Sequence, residues 1–289
     1  MSLVNAIDLV REAHQKDAAV FSFVCIDYNE VRAVINAAER TGKPAIAMLL
    51  PEYVTNFSLN GFGEFAAMVR AMAEQTDARI GLHLDHSYDE AEVRRAIDSG
   101  FTSVMFDASR DDLQTNIRRT RAMVEYAHAR GVAVESELGA VGLAKERADA
   151  RTNLFTKPET VALFCRETGV DSLAIAIGNA HGDYLQTPRL DLNRLDEIHA
   201  VTDTPLVLHG GSGIPDEMVR KAITLGVSKI NVNTECQITF AEATRKYIEE
   251  GKDLTGKGFD PRKLLAPGAE AIRATVREKI ELFGSVGKA

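Results

Sequence analysis

Short apolar runs alternate with longer amphipathic stretches along most of this chain, and this alternation restricts the possible folds more than any other feature. Eight runs have the length and composition of buried strands, and they cover residues 20–26, 45–50, 80–84, 103–106, 132–137, 172–177, 206–208 and 229–232. A strand followed by an amphipathic helix is the repeating unit of parallel α/β folds. Eight such units predict a (β/α)8 TIM barrel over residues of about 18–250.

The stretches between these runs support the same alternation of strands and helices. Their periodicity predicts helices over residues 29–41, 63–74, 89–99, 111–130, 158–168, 192–201, 215–225 and 234–250. Several helices end at a glycine directly before the next strand, where a left-handed residue is favoured: Gly100, Gly131, Gly169 and Gly226. An open doubly wound sheet is the alternative fold, but no G-x-G-x-x-G motif follows the first strand.

Two further helices are predicted outside the barrel units. One opens the chain over residues 2–16, and the other covers residues 269–283 after a loop over 251–260. Apolar residues at helical spacing give the second helix a face that packs on the barrel or on a partner subunit. We therefore expect one α/β domain over residues 1–289, with an N-terminal helix and a C-terminal extension of about 251–289.

The charge and the hydropathy of the chain exclude two classes of partner. Its 289 residues include 34 Lys+Arg and 42 Asp+Glu, which gives a formal net charge of −8, and no basic run could follow a phosphate backbone. No apolar segment reaches the ~20 residues of a membrane helix, and the amino terminus lacks the basic and then apolar order of a signal peptide. The sequence therefore predicts a cytoplasmic protein that binds neither nucleic acid nor a membrane.

Polar side chains collect where the predicted strands end. On the third strand, His83 and Asp85 share one face because successive side chains alternate, and His86 falls where the strand gives way to a turn. Strand ends meet on one face of a barrel, so three histidines from different strands should converge: His86, His181 and His209. Three imidazoles leave one coordination position open for substrate, as in a catalytic zinc site. The remaining histidines lie in the last turns of predicted helices, where a cationic side chain suits the helix dipole: His14, His128 and His199.

The last two strands lead into turns suited to an anion. The turn His209-Gly-Gly-Ser-Gly213, with Pro215 at a helix start, offers backbone N–H groups and a helix amino terminus. After the eighth strand, Thr234-Glu-Cys-Gln237 fits a capping box that opens the last barrel helix. The loops after strands seven and eight are the usual phosphate site of this fold. Two well-capped turns without a ligand would give the same pattern.

These segments resemble the class II, metal-dependent ketose-bisphosphate aldolases, especially the fructose- and tagatose-bisphosphate aldolase branch. The similarity runs from about residue 80 to residue 233. It rests on the motifs His83-Leu-Asp-His86, Ser103-Val-Met-Phe-Asp107, Glu137-Leu-Gly139, His181-Gly182, Pro205-Leu-Val-Leu-His-Gly-Gly-Ser212 and Lys229-Ile-Asn-Val-Asn-Thr234.

The resemblance implies roles for residues already singled out. His86, His181 and His209 would bind zinc, and Asp85 would be the catalytic acid/base. The phosphate end of dihydroxyacetone phosphate would lie in a cradle formed by Gly182, Gly210, Gly211, Ser212, Asn231, Val232, Asn233 and Thr234. A monovalent cation near the phosphate and a homodimer or homotetramer are further expectations.

The chain also departs from the family pattern. Ser109-Arg110 stands where family members commonly have Ser-His, and a lysine usual shortly after His-Gly is missing. In the loop over residues 139–154, the acidic residue that serves as the donor-side base is displaced, which leaves Glu146 or Asp149, with Glu146 preferred. The amino-terminal quarter matches poorly.

The function implied is a lyase of carbohydrate metabolism, which cleaves a phosphorylated ketose reversibly into dihydroxyacetone phosphate and an aldehyde. The changed loop motivates one alternative, a metal-dependent epimerase or isomerase of a sugar phosphate. Another is a former aldolase that serves as a binding or assembly module. The sequence names neither the ketose nor the acceptor aldehyde.

Overall fold

Eight parallel strands close into a barrel in the computed structural model, which describes residues 3–56, 61–144 and 154–283. The strands are β1 (Val20–Val24), β2 (Ala45–Leu49), β3 (Ile80–Ser87), β4 (Ser103–Phe106), β5 (Ala133–Leu138), β6 (Ser172–Ile175), β7 (Leu206–Leu208) and β8 (Val227–Val232). Each strand pairs with the next one in the chain, and β8 pairs with β1. The predicted (β/α)8 TIM barrel is confirmed.

Helices surround the strands and continue beyond them. They are α1 (Ala6–Gln15), α2 (Tyr28–Thr41), α3 (Pro51–Asn56), α4 (Phe62–Ala73), α5 (Glu90–Asp98), α6 (Leu113–His128), α7 (Pro158–Thr168), α8 (Leu192–His199), α9 (Asp216–Thr224), α10 (Thr234–Glu249), α11 (Pro261–Leu264) and α12 (Ala266–Phe283), with a 3-10 turn at Lys252–Leu254. Aspartate side chains accept backbone N–H groups at the starts of α2, α5, α6 and α8. No helix among the described residues is long and apolar enough to cross a membrane.

Helix α1 closes the amino-terminal end of the barrel. Its apolar face packs on inward-facing residues of three strands, Val20, Ile46 and Ala133. The helix approaches β3 so closely that a Cβ at Gly81 would lie 2.8 Å from the Cβ of Ala6. Helix α1 therefore covers the amino-terminal end of the barrel and leaves the carboxyl ends of the strands uncovered by it.

Helix α12 packs on the outside of the barrel against α2 and α10. Its buried face includes Ile272, Val276 and Ile280, as the spacing predicts. The predicted loop over residues 251–260 contains the 3-10 turn, and α11 begins directly after it. The short α3 directly after β2 was also missed, because six residues give too little periodicity to recognise.

The four glycines predicted at helix ends all have positive φ, from +70° to +97°.

The capping box predicted at Thr234 is wrong. Asn233 precedes the helix, and its own side chain does not cap it; instead, the Oγ of Ser212 accepts the N–H groups of Asn233 and Glu235 at 3.4 and 3.2 Å. The hydroxyl comes from the loop after β7, so the local sequence around residue 234 could not reveal it.

Candidate active site

The three predicted imidazoles meet at the carboxyl end of the barrel. His86 lies on β3, His181 in a short strand after β6, and His209 directly after β7. The centroid of the His86 ring is 4.7 Å from that of His181 and 4.5 Å from that of His209. One nitrogen from each ring lies within 4.8 Å of the others. Residues that are 123 positions apart along the sequence thus face a single point.

The backbone at His86 is distorted in a way that aims its ring. The register between β3 and β4 shifts between Leu84 and Ser87, and His86 has a φ of +24°. Positive φ costs a non-glycine residue of order 1–3 kcal/mol, and such irregularities cluster at sites where a side chain must be redirected. The sequence predicted a turn after residue 84, whereas the strand continues through this irregularity to Ser87.

Carboxylates fix which nitrogen of the His86 and His209 rings faces the centre. The Nδ1 of His86 lies 3.0 Å from an oxygen of Asp107, and the Nε2 of His209 lies 3.1 Å from an oxygen of Glu135. The two remaining nitrogens, Nε2 of His86 and Nδ1 of His209, are 2.7 Å apart. A proton must lie between them when no cation does. Three convergent imidazole nitrogens, two of them on rings held by a carboxylate, suit a divalent transition metal, so the residues fit such an ion.

Burial and neighbouring charges shift the pKa values of His181 and His86 in opposite directions. Burial, and then the neighbouring imidazoles, lower the pKa of His181 to about 3, so its ring is neutral and can act as a ligand. Burial would lower the pKa of His86 as well, but the charges of Asp85 and Asp107 raise it to about 9. In turn, hydrogen bonds from His86 and Ser109 overcome the effect of burial and lower the pKa of Asp107 to about 2.

Asp85 lies beside the histidines and is almost fully buried. Burial would raise the pKa of its carboxyl, but the imidazoles of His86 and His209 lower it overall, so the group is anionic at neutral pH. The amide Nδ2 of Asn231 donates to Asp85 Oδ1 at 3.1 Å and fixes its orientation. Asp85 is therefore a carboxylate that can accept a proton from a bound molecule.

A charged cluster fills the barrel directly beneath these residues. Lys229 donates to both oxygens of Glu135, at 2.9 and 3.1 Å, and its Nζ lies 3.3 Å from the Nε2 of His83. Lys229 holds the pKa of Glu135 well below its usual value despite burial. Sequence reasoning missed the lysine because it searched strand ends. The available signal was that Lys229 and Asn231 are two residues apart and so share the inward face of β8.

Six residues of the predicted phosphate cradle line the pocket beside the histidines: Gly182, Gly210, Ser212, Asn231, Asn233 and Thr234. Gly211 and Val232 do not. The N–H of Gly211 donates to the carbonyl of Asn231 at 2.9 Å, and Val232 is buried. The close packing explains the glycine, since a Cβ at Gly211 would lie 2.6 Å from Ile230.

The opposite side of the pocket is apolar, and sequence reasoning did not include it. Val24, Met48 and Leu50 line it from the ends of β1 and β2. Site residues were sought among polar side chains at strand ends, and the ends of β1 and β2 have apolar ones. Their alternation nevertheless places Met48 and Leu50 on the same face of one strand and its extension.

The predicted donor-side base, Glu146, lies outside the described residues, as does its alternative, Asp149. The described residues on either side are close to the site and to each other. The N–H of Ala144 donates to the carbonyl of His181 at 2.8 Å, and Ala140 donates to the carbonyl of Leu154 at 2.8 Å. Ala144, the last described residue before residue 154, is therefore in contact with a candidate metal ligand.

The histidines predicted to have no function lie away from the pocket. His14, His128 and His199 are in the last turns of α1, α6 and α8, as predicted. His14 contacts Ser228 and His128 contacts Asp171, both by hydrogen bonds. These residues provide matched controls for the three convergent histidines.

A closed parallel barrel with three convergent imidazoles and a buried carboxylate at its strand ends defines a metal-dependent TIM-barrel enzyme. Comparison with known families specifies the class further. The model of the family "Fructose-bisphosphate aldolase class-II" matches residues 4–288. The chain belongs to this family. It is a class II aldolase, a carbon–carbon lyase that catalyses metal-dependent aldol cleavage.

Individual relatives cover the whole chain. A fructose-bisphosphate aldolase from Geobacillus stearothermophilus is 40% identical over 291 residues, which cover 100% of this chain and 99% of the relative. A 6-phospho-5-dehydro-2-deoxy-D-gluconate aldolase from Bacillus subtilis (strain 168) is 39% identical over 293 residues, which cover 100% and 98%. Among solved structures, the YdjI aldolase from Escherichia coli K12 is 32% identical, with a TM-score of 0.82 and 99% of each chain covered.

The buried pair of Lys229 and Glu135 generates a stability prediction. Lys229→Met should lower the free energy of unfolding by about 3–5 kcal/mol, because it leaves the carboxylate of Glu135 buried without its cation. Denaturant titration measures this change. The double variant Lys229→Met/Glu135→Gln should recover part of the loss, since no uncompensated charge remains. A single variant as stable as the wild type would contradict the structural role of the pair.

Proposed function

We propose that the chain cleaves a phosphorylated ketose reversibly into dihydroxyacetone phosphate and an aldehyde, with zinc bound by His86, His181 and His209. The observation that carries the proposal is the convergence of these three rings beside Asp85, in one pocket with the predicted cradle. Both curated relatives are named for phosphorylated or bisphosphorylated substrates, which supports a phosphate on the substrate. Their nearly equal identity favours neither substrate over the other.

Bound zinc supplies the Lewis acidity that polarises the carbonyl of the donor half. His86 and His209 would offer Nε2 and Nδ1, because Asp107 and Glu135 occupy their other nitrogens. The carboxylates orient the rings and increase their basicity. We infer zinc rather than a harder cation because the donor set contains three imidazoles and no oxygen.

Asp85 would move the proton of the hydroxyl on the carbon whose bond to the donor breaks. In cleavage its carboxylate accepts that proton, and in synthesis it returns it. The hydrogen bond from Asn231 keeps one carboxylate oxygen in place, so the other is directed to the substrate. The low pKa of Asp85 in the free protein suits the role of proton acceptor.

Ser212 would hold the phosphate together with the start of α10. Its Oγ already accepts two backbone N–H groups, from Asn233 and Glu235, so its own proton is directed elsewhere. A phosphate oxygen in the pocket could accept a hydrogen bond from this hydroxyl. The amino terminus of a 16-residue helix adds a favourable dipole. A monovalent cation near this phosphate, a homodimer or homotetramer and a cytoplasmic location stay predictions from the sequence.

The two alternative functions, an epimerase or isomerase and a binding module, have no support from the relatives. Neither an epimerase, an isomerase nor a binding module is named among the relatives and structures described above. Asp85 and the three histidines, which a binding module would not need, are placed together. We retain the aldolase reaction alone.

The proposed reaction is tested by assaying release of dihydroxyacetone phosphate from a panel of ketose bisphosphates and ketose monophosphates. Dialysis against a chelator should abolish release, and added zinc should restore it, because the Lewis acid is removed and returned. A sample dialysed without chelator is the control. Full activity in the chelated, metal-free protein would exclude the proposed reaction.

The ligand assignment makes a separate prediction about metal content. Replacing His86, His181 or His209 with Ala should remove bound zinc, because each loss leaves only two imidazoles. Elemental analysis of the purified variants measures the stoichiometry. Matched histidine controls should keep wild-type zinc: His14→Ala, His128→Ala and His199→Ala. Full zinc occupancy in one of the first three variants would remove that residue from the ligand set.

We propose Glu146 as the base that removes the carbon-bound proton of the donor. Glu146→Gln should lower the exchange of that proton with solvent by ~10²- to 10⁴-fold, the usual contribution of a positioned base. The assay uses dihydroxyacetone phosphate without aldehyde, so bond cleavage does not contribute. Zinc content should stay at the wild-type level. Exchange at the wild-type rate would show that Glu146 is not the base, and Asp149→Asn would then be the variant to measure.

A further inference from the structure

The pocket is lined by two chemically different surfaces. When the three candidate ligands, Asp85 and the predicted cradle are assigned, the lining residues that remain are Val24, Met48 and Leu50. Met48 is fully buried, Val24 is 5% exposed and Leu50 is partly buried. We call these three residues the apolar wall.

The position of the apolar wall relates it to one half of the substrate. In the closed barrel, β1 and β2 lie between β8, which leads to Asn233 and Thr234, and β3, which carries Asp85. The metal ligands and the cradle are assigned to the donor half. Since β2 pairs with β3, the wall adjoins Asp85, and β2 lies across the barrel from β6, which leads to His181. The wall therefore faces the carbons beyond the bond that breaks, which are those of the acceptor aldehyde.

The wall offers little to a polar group. The carbonyl of Met48 already accepts the N–H of Cys25 at 2.8 Å, and the carbonyl of Leu50 accepts the N–H of Tyr53 at 3.1 Å. Across residues 3–56, 61–144 and 154–283, no lysine or arginine lines the pocket. A phosphate or hydroxyl against this wall would lose its water without gaining a partner. An alkyl carbon would gain contact and lose nothing.

We infer that the acceptor is an aldehyde without phosphate, whose carbon next to the carbonyl is a methylene or methyl group. The inference rests on the proposed function, since it takes the donor half from it. It makes Val24, Met48 and Leu50 specificity-determining residues for the aldol reaction. The ketose substrate is then a monophosphate that keeps the hydroxyl on the first carbon beyond the cleaved bond and is deoxy at the second.

The test measures kcat/KM in the synthetic direction with dihydroxyacetone phosphate and three aldehydes. Propanal has a methylene next to the carbonyl, lactaldehyde has a hydroxyl there, and glyceraldehyde 3-phosphate adds a phosphate. We expect propanal to exceed each of the other two by at least about 10-fold, since one group in an apolar pocket changes kcat/KM by about 10- to 200-fold. Glyceraldehyde 3-phosphate as the equal or better acceptor would overturn the inference.

Two variants connect the preference to the wall. Leu50→Asn keeps the size of the side chain and adds an amide, and Val24→Thr replaces a methyl group with a hydroxyl. Each should lower the ratio of kcat/KM for propanal to that for lactaldehyde by about 10-fold or more. Leu254→Asn is the matched control, because Leu254 is 80% exposed on the 3-10 turn and outside the pocket, and the ratio should not change. An unchanged ratio in both wall variants would overturn the inference.

Exchange of the donor proton distinguishes failure of this inference from failure of the proposed function. If wild-type protein exchanges the proton of dihydroxyacetone phosphate but prefers glyceraldehyde 3-phosphate, the inference is wrong and the aldolase reaction stands. If there is neither exchange nor product with any aldehyde, the proposed donor is wrong, and the inference is overturned with it. Exchange together with the propanal preference supports both.

Discussion

The carboxylate of Glu135 connects the interior of the barrel with its catalytic end. From β5 it contacts Ser172 on β6, His209 after β7 and Lys229 on β8. Through Lys229 the cluster extends to His83 on β3. Such a buried charge is costly unless it is paired and hydrogen-bonded, and here β6, the end of β7 and β8 each supply a partner. The ring orientation of a candidate metal ligand therefore depends on the correct register of four consecutive strands.

Most of the fold was predictable because its signals are local. An apolar run, an amphipathic stretch and a glycine at +70° to +97° can each be recognised within about fifteen residues. Convergence of His86, His181 and His209 was predictable for a different reason, since barrel geometry brings all strand ends to one face. The interactions that were missed join distant segments. Ser212 caps a helix that starts 22 residues later, and Lys229 pairs with a strand 94 residues earlier.

The irregularity at His86 shows where local reasoning reaches its limit. A regular strand through Ser87 would place His86 on the outer face, opposite Asp85, because side chains alternate. The register shift and the positive φ let consecutive residues, Asp85 and His86, both contribute to the pocket. Regular alternation would direct only one of these two side chains into the barrel. The hydrogen bond between His86 and Asp107 on the adjoining strand end helps to maintain the strained backbone.

The two surfaces of the pocket come from different strands, and this separation has a consequence for specificity. Ligands, cradle and Asp85 come from β3 and from the segments after β6, β7 and β8, whereas the apolar wall comes from β1 and β2. If the two surfaces have the roles we propose, substitutions in β1 and β2 would change the acceptor without changing the residues assigned to the metal and the donor. Two relatives with 40% and 39% identity carry different substrate names, so identity over the whole chain does not specify the acceptor. The residues that contact the acceptor must specify it, and those that we infer to contact it among the described residues are apolar.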